Sequence, residues 1–154
     1  MSKDILDQDA AARAVQAFLE ACNLQDDPET QGTPKRVTEM WQNALISGYG
    51  DDPAAHLQNP IPDDSETIVS LEEIPFHGMC PHHLVPYFGT VNLAYEPNGA
   101  IVGLGALENL VASLSRRLIL QETLTGEIAD ILSEKLGAKG VACRVSGRHL
   151  CLML

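Results

Sequence analysis

A cysteine and two histidines lie close together in the segment Cys80-Pro81-His82-His83. A thiolate and an imidazole three positions apart in a turn can reach one tetrahedral Zn²⁺ ion. One cysteine and one histidine do not complete such a site, so a further ligand must come from elsewhere. Cys151 is the natural candidate, on a predicted last strand that also carries His149 on the same face. Three protein ligands leave a fourth position for water, which is the arrangement of catalytic zinc.

The two adjacent histidines are expected to differ in role. His82 and His83 are neighbours, so both are not expected to bind one ion from the same turn as Cys80. The remaining imidazole can then transfer protons near neutral pH. Spacing alone leaves two alternatives open. The thiols and histidines could be ordinary buried and turn residues, or a closed structural zinc site could use both histidines or His149 as a fourth ligand.

The remaining cysteines and histidines are interpreted as structural. Cys22 and Cys143 lie among apolar residues and are expected to be small buried hydrophobic side chains. His56 and His77 are expected at the surface or in packing contacts.

The charge of the chain limits its partners. Its 154 residues include 21 Asp and Glu against 10 Lys and Arg, a formal net charge of −11. This is the wrong sign for a partner that is nucleic acid or an anionic membrane surface.

No apolar run reaches the roughly 20 residues of a membrane span, and no signal-peptide pattern is seen, so we expect a cytoplasmic protein without disulfides. Lys and Arg are absent from positions 37–115, so a bound phosphate must be held from the two ends of the chain, by backbone N–H groups or by a neighbouring subunit.

Helical periodicity predicts two N-terminal helices. The first covers residues 11–22, with the acids Asp4, Asp7 and Asp9 near its start, where the helix dipole favours them. The second begins at Thr33-Pro34, with Thr33 as its N-cap, and runs to Gly48. A loop is expected over residues 50–64.

Strands and a pair of helices are predicted in the remainder. Alternation of apolar residues indicates strands at 67–74 and 87–95, joined as a hairpin or meander. Helical stripes follow at 107–118 and 124–136, and two strands at 141–145 and 149–153 close the chain. Grouped helices between pairs of strands are typical of an α+β fold, here an antiparallel ββααββ sheet with two helices on one face. We expect a helical region and loop over 1–64 and a catalytic domain over 65–154, within one folding unit.

Six segments in order make the chain similar to the GTP cyclohydrolase I family from Thr33 onward. They are Thr33-Pro34-Lys35-Arg36-Val37, Cys80-Pro81-His82-His83-Leu84-Val85-Pro86-Tyr87-Phe88-Gly89, Val102-Gly103-Leu104, Ser115-Arg116-Arg117, Gln121-Glu122 with Leu124-Thr125, and His149-Leu150-Cys151. The resemblance implies the tunnelling fold, in which ββααββ units associate into a β-barrel. It also implies a homo-oligomer, a toroidal decamer with active sites at subunit contacts.

The resemblance implies a metal site and two acid–base groups. Cys80, His83 and Cys151 would bind the cofactor Zn²⁺, His82 would carry protons beside the activated water, and His149 would be a second acid–base group.

The resemblance also implies a substrate and a reaction. Glu122, with Gln121 beside it, would accept hydrogen bonds from the N–H edge of guanine, and Arg36 would touch phosphate. The substrate would be GTP. The implied reaction is hydrolytic opening of the guanine imidazole ring, with release of formate, to give 7,8-dihydroneopterin triphosphate for pterin and tetrahydrofolate biosynthesis.

The chain departs from the family pattern at several positions. Pro81 replaces a glutamate, Gly105-Ala106 replaces a serine–lysine pair, and Asn109 replaces an arginine. A further arginine, expected four residues after Cys151, would fall beyond Leu154. Three cationic phosphate contacts are therefore missing, each worth about 1.5–3 kcal/mol when charge-assisted.

Several alternatives follow from these departures. The chain could continue beyond Leu154 and restore the last arginine, or it could act on a guanine compound with fewer phosphates or stop at ring opening. A non-catalytic zinc-binding assembly subunit is a further alternative. Lys139, Arg144 and Arg148 are possible substitute cations, although surface solvation is their expected role.

Overall fold

The N-terminal part of the chain forms two helices that pack against each other. The computed structural model describes residues 5–154, so the expectation for Asp4 lies outside the described residues. Helix α1 spans Gln8–Ala21, and helix α2 spans Thr33–Met40. The Asp7 carboxylate caps α1 by accepting a hydrogen bond of 2.9 Å from the Ala10 N–H, as expected for an acid before the first turn.

Helix α2 differs from its prediction at both ends. Its N-cap is Gly32, at φ 74°, and Thr33 is the first helical residue, so the predicted Thr33 cap is wrong. The helical path continues as a π-helical turn over Trp41–Leu45 and a 3₁₀ turn over Ser47–Gly50. The predicted helix to Gly48 is therefore interrupted at Ile46, whose φ of −126° is not helical, and does not form one α-helix.

The predicted loop at 50–64 contains two short elements of secondary structure. It contains a 3₁₀ turn over Pro53–Leu57 and a short strand, β1, over Ile61–Pro62. Strand β1 pairs antiparallel with β4, Ala100–Ile101, as a small separate sheet.

The main sheet has three antiparallel strands in the order β2–β3–β5. Strand β2 spans Val69–Met79, β3 spans Pro86–Glu96, and β5 spans Gly140–His149. The predicted hairpin is confirmed in β2 and β3. A bulge at Leu71/Ile74 interrupts their register, and the residue there, Glu73, has φ 56°.

Two helices pack on this sheet and complete the core. Helix α3, Leu104–Ser115, lies against β2, and α4, Gln121–Leu136, lies against β5. Their predicted apolar stripes pack in a cluster with the inward side chains of the strands, which confirms the α+β class. The last residue of the predicted 107–118 stripe, Leu118, is the exception, because α3 ends at Ser115 and Leu118 is 38% exposed. Within residues 5–154, no helix has the length and apolar composition needed to cross a membrane.

Two expectations about the ends of the fold are wrong. The predicted strand at 149–153 does not form, and the chain turns after His149 into a 3₁₀ helix over Leu150–Leu152. The β3–β5 ladder ends at the Tyr87–His149 pair, because β3 begins at Pro86, which has no N–H to continue it. Cys22, expected to be buried, is exposed at the end of α1, whereas Cys143 is partly buried.

Candidate active site

The turn between β2 and β3 carries Cys80, His82 and His83, the three predicted site residues of the Cys80 segment. The Cys80 N–H donates to the Val85 carbonyl, and the Leu84 N–H donates to the Cys80 carbonyl, both at 2.9 Å. The start of the turn is anchored because Met79 exchanges backbone hydrogen bonds of 3.2 Å with Arg117 and Ile119. Cys80 is therefore held next to the chain that leads into α4.

Cys80, His83 and Cys151 form a candidate metal centre. One ligand atom from each of the three residues lies within 4.8 Å of those of the other two, and Cys80 Sγ is 3.7 Å from His83 Nδ1. Ligand atoms around a tetrahedral ion with bonds of about 2.0–2.3 Å are separated by about 3.6 Å, so this spacing fits one ion. Two sulfurs and one imidazole nitrogen form a donor set that could hold a metal ion.

The two thiols of the centre are unequal. The hydrogen bond from His83 lowers the pKa of Cys80 from 9.0 to about 7, and backbone N–H groups of the turn add to this effect against desolvation. Desolvation raises the pKa of Cys151, as do the hydrogen bond and the charge of Cys80. Cys80 therefore ionises first, which provides a thiolate near neutral pH.

The low pKa of Cys80 predicts a pH-dependent stability in the metal-free protein. The pKa of Cys80 in the folded state, about 7, lies below its ordinary value of 9.0. Ionisation of Cys80 therefore adds nothing to the free energy of unfolding below pH 7, and its contribution to that free energy grows between pH 7 and 9. With chelator present, the difference in urea midpoint between wild type and Cys80→Ala should therefore grow from about pH 6.5 to about pH 8.5. A difference that stays constant would contradict the assigned pKa.

A cavity of about 250 Å³ opens beside this centre. Its polar lining comes from Cys80, His82, Gln121, Glu122, His149 and Cys151, and its apolar walls include Ile119, Leu120 and Leu152. Three separate elements supply these side chains: the turn after β2, the first turn of α4, and the end of β5 with the 3₁₀ helix that follows. The fold thus brings together residues that are about 70 positions apart in sequence.

The imidazole of His149 is held from two sides. Its Nε2 lies 3.0 Å from Gln121 Oε1, and its ring stacks on Tyr87 with a centroid distance of 4.7 Å and an interplanar angle of 6°. Desolvation, followed by the charges of Cys80 and Glu122, raises the pKa of Tyr87 to about 12. The phenol therefore stays protonated and donates to the Ile119 carbonyl at 2.9 Å.

Known proteins match almost the whole chain. The GTP cyclohydrolase I family model matches residues 11–154. A GTP cyclohydrolase 1 of Chromobacterium violaceum is 40% identical over 149 residues, covering 95% of this chain and 72% of that protein. A GTP cyclohydrolase 1 of Carboxydothermus hydrogenoformans is 36% identical over 154 residues, covering 97% of this chain and 79% of that protein.

The chain belongs to the GTP cyclohydrolase I family. The family predicted from the six segments is therefore confirmed, and so is the prediction of an enzyme of the GTP cyclohydrolase I type. The α+β architecture agrees with the predicted tunnelling fold.

In this member of the GTP cyclohydrolase I family, Arg36 does not line the cavity beside Cys80. Its guanidinium donates to the Gln31 carbonyl at 2.8 Å and to Thr33 Oγ1 at 2.9 Å. The structure of one chain therefore does not bring Arg36 to the other predicted site residues, and its phosphate contact stays a prediction.

The possible substitute cations also lie away from the cavity lining. Lys139 Nζ is 3.9 Å from a carboxylate oxygen of Glu66 and 3.7 Å from one of Glu96, while Arg144 and Arg148 are exposed on β5. These positions agree with the surface role expected for the three side chains.

The histidines interpreted as structural make contacts within the fold. His56 Nε2 is 2.7 Å from Asp51 Oδ2, and His77 Nε2 is 3.3 Å from the Ala44 carbonyl oxygen. Neither residue lines the cavity beside Cys80.

Sequence reasoning missed the part that Tyr87 and Gly147 play at the site. The sequence predicts Tyr87 only as part of the strand at 87–95 and of the Cys80 segment, and it predicts no role for Gly147. A Cβ at Gly147 would lie 2.7 Å from Gln121 Oε1 and 3.3 Å from His149 Nε2. One signal in the sequence could have indicated this contact. Gly147 lies two positions before His149, and a glycine within a strand often marks a place where another group approaches closely.

Proposed function

We propose that this protein is a Zn²⁺-dependent GTP cyclohydrolase I that hydrolyses the imidazole ring of GTP, releases formate and yields 7,8-dihydroneopterin triphosphate. One observation carries the proposal: the Cys80–His83–Cys151 group opens onto a cavity that is also lined by His82, Gln121, Glu122 and His149. The similar proteins are GTP cyclohydrolases 1 by name, which supports the same substrate.

The donor set supports zinc as the metal. Cys80 and Cys151 offer soft sulfur ligands and His83 a borderline nitrogen, a combination that favours Zn²⁺ over hard cations such as Mg²⁺. Zinc bound there would supply Lewis-acid activation of water at neutral pH. Cys80 contributes its thiolate readily, because its pKa is already about 7 without metal.

Two imidazoles are assigned to proton transfer. His82 is exposed at the mouth of the cavity, and its ring centroid is 6.3 Å from that of His83. This position lets His82 pass protons between the reacting ring and solvent. His149 is oriented by Gln121 and Tyr87 and serves as the second acid–base group.

Glu122 is assigned to base recognition. It lies in the first turn of α4 and lines the cavity with a carboxylate that only accepts hydrogen bonds. Guanine offers two N–H donors on one edge, and adenine lacks this pair, so Glu122 would select guanine over adenine. The apolar walls from Ile119, Leu120 and Leu152 complete the cavity around the base.

The assembly of the proposed enzyme is expected to complete the site. Arg36 does not line the cavity in one chain, and the apolar residues Leu152, Met153 and Leu154 are 84%, 68% and 99% exposed. We propose a homo-oligomer, a decamer as the family resemblance implies, in which subunit contacts cover these residues and bring Arg36 to the phosphates.

Product analysis tests the function directly. The purified protein is incubated with GTP, GMP and guanosine in separate reactions, while formate and pterin fluorescence are followed and bound metal is measured. The proposal expects formate and fluorescence from GTP at micromolar concentration. Absence of both products from GTP, with zinc bound, would overturn it.

A second candidate is a relative that acts on a guanine compound with fewer phosphates. The observation that favours it is the absence of cations on the first turns of α3, where Gly105, Ala106 and Asn109 are found. This candidate expects formate from guanosine or GMP at a higher kcat/KM than from GTP, so the same three reactions separate the two.

Substitution of Gly147 tests the packing beside His149. In Gly147→Ala the new Cβ would sit 2.7 Å from Gln121 Oε1, so Gln121 or His149 must move. A displacement of reacting groups by a fraction of an ångström to 1 Å can cost about 10- to 100-fold in rate, so we expect kcat to fall by about tenfold. Steady-state kinetics measure the effect.

Gly140→Ala is the matched control for this substitution. Gly140 begins the same strand, and nothing lies within 4 Å of the Cβ it would gain. Its kcat should equal that of the wild type. Equal losses in the two variants would mean that strand flexibility, and not the clash, causes the effect.

A further inference from the structure

The geometry points to Tyr87 as a positioning residue that fixes the ring plane of His149, in a space that Gly78 and Gly147 keep open. This inference rests on the proposed function, because His149 is the acid–base group of the same site. It assigns Tyr87 a role in turnover that goes beyond filling the core.

The stack between the two rings is built into the sheet. Tyr87 on β3 and His149 on β5 are directly paired across the strands, with ring centroids 4.7 Å apart and planes 6° from parallel. Tyr87 is only 1% exposed, so the ring on which the imidazole rests is surrounded by protein.

Tyr87 is itself fixed at two points. Its hydroxyl donates to the Ile119 carbonyl at 2.9 Å, and the ring of Phe76 meets it edge-on at 5.7 Å and 71°. A hydroxyl anchor together with an edge-on neighbour prevents rotation of the phenol ring. The platform below His149 is therefore rigid.

Two glycines make this close stacking possible. A Cβ at Gly78, the β2 partner of Tyr87, would lie 2.9 Å from Tyr87 Cε1 and Cζ. A Cβ at Gly147 would lie 3.5 Å from Tyr87 Cδ2 and 3.3 Å from His149 Nε2. A side chain at either position would push one of the two rings out of place.

The hydrogen bond from Gln121 does not define the imidazole by itself. A single contact of 3.0 Å at Nε2 leaves the ring free to turn about its own Cβ–Cγ bond, because Nε2 lies close to that axis. The face of Tyr87 removes this freedom, because a parallel stack permits only one plane. Both contacts together determine where each ring nitrogen of His149 points.

Tyrosine replacements separate orientation from packing. In Tyr87→Leu the stack is lost, and we expect kcat to fall by about 10- to 100-fold, with KM changed by less than about threefold and the metal content unchanged. Tyr87→Phe keeps the aromatic face, so its kcat should stay within about threefold of the wild type. Steady-state kinetics and metal analysis of the purified proteins measure these effects.

Tyr95→Leu is the matched packing control. Tyr95 lies on the same strand as Tyr87, is 1% exposed and does not line the cavity, so the variant removes a buried tyrosine ring and leaves the Tyr87–His149 stack in place. We expect a loss of thermal stability similar to that of Tyr87→Leu, with kcat near the wild-type value. Equal losses of kcat in the two leucine variants would overturn the inference.

A double variant tests whether Tyr87 acts through His149. If it does, Tyr87→Leu should lower kcat in the wild-type background and have no further effect in His149→Ala. Additive losses would overturn the positioning role.

An activity-independent measurement keeps this inference separate from the proposed function. At fixed pH, the ring protons of His149 should show an upfield NMR shift from the aromatic ring below them, retained in Tyr87→Phe and lost in Tyr87→Leu. An unchanged shift in Tyr87→Leu overturns the inference. Failure of the proposed function appears instead in the wild type, as a lack of formate and pterin from GTP.

Discussion

Replacing Cys151 with alanine is expected to remove the bound metal and to lower turnover of GTP by on the order of 10³-fold or more. Cys151 supplies one of only three ligand atoms in the group with Cys80 and His83. Without a metal, water keeps its high bulk pKa and is a poor nucleophile at pH 7. Metal analysis after gel filtration and formate release from GTP measure the two losses.

Cys143→Ala is the control that makes this result specific to the metal group. Cys143 is on β5, a few residues before Cys151, and desolvation raises its pKa to about 11, so it stays a neutral thiol in the core. This variant should keep its metal and its turnover. Chelator treatment followed by added Zn²⁺ should likewise restore the wild type and not Cys151→Ala. A Cys151→Ala protein that retains one equivalent of metal and full activity would overturn the ligand assignment.

The helices and strands that form the core could be predicted from apolar spacing. The stripes at 107–118 and 124–136 have helical periodicity and are long, and the alternation around Val91 and Leu93 has a period of two. Such patterns depend on which face is buried, and in this fold the predicted faces are the buried ones, apart from Leu118, which lies beyond the end of α3 and is exposed. Element ends were less accurate, because the local pattern does not show where a partner strand ends.

The last segment illustrates this limit. Alternating residues at 149–153 have the pattern of a strand, but the available partner, β3, begins at Pro86 and offers no N–H for a further rung. The chain then turns, and Cys151 joins the Cys80–His83–Cys151 group from a 3₁₀ helix. The sequence predicts Cys151 and His149 on one face of that strand; the strand does not form, but both residues line the same cavity.

The contacts around His149 could not have been predicted from the sequence. They depend on the register that pairs Tyr87 with His149, and on the approach of the first turn of α4, which brings Gln121 to the imidazole. Register is set by the whole sheet and by its turns, so no short segment contains this information.

Replacing His82 with alanine is expected to lower turnover by about 10²- to 10⁴-fold while the metal stays bound, since this is the usual contribution of a positioned acid–base group. His82 lines the cavity but is absent from the Cys80–His83–Cys151 group, so the two functions should separate. The cavity, about 250 Å³ and open at the exposed His82, should admit free imidazole and allow partial recovery of formate release.

A histidine outside the cavity provides the comparison for this experiment. The imidazole of His56 is hydrogen-bonded to the Asp51 carboxylate. The His56→Ala variant should therefore keep its turnover, and added imidazole should not increase its rate. Metal loss in His82→Ala would place this residue among the ligands, and full activity would remove it from the reaction. Loss of turnover with metal retained and with imidazole rescue is the one result that fits a proton carrier, because it requires a diffusible base where the side chain was removed.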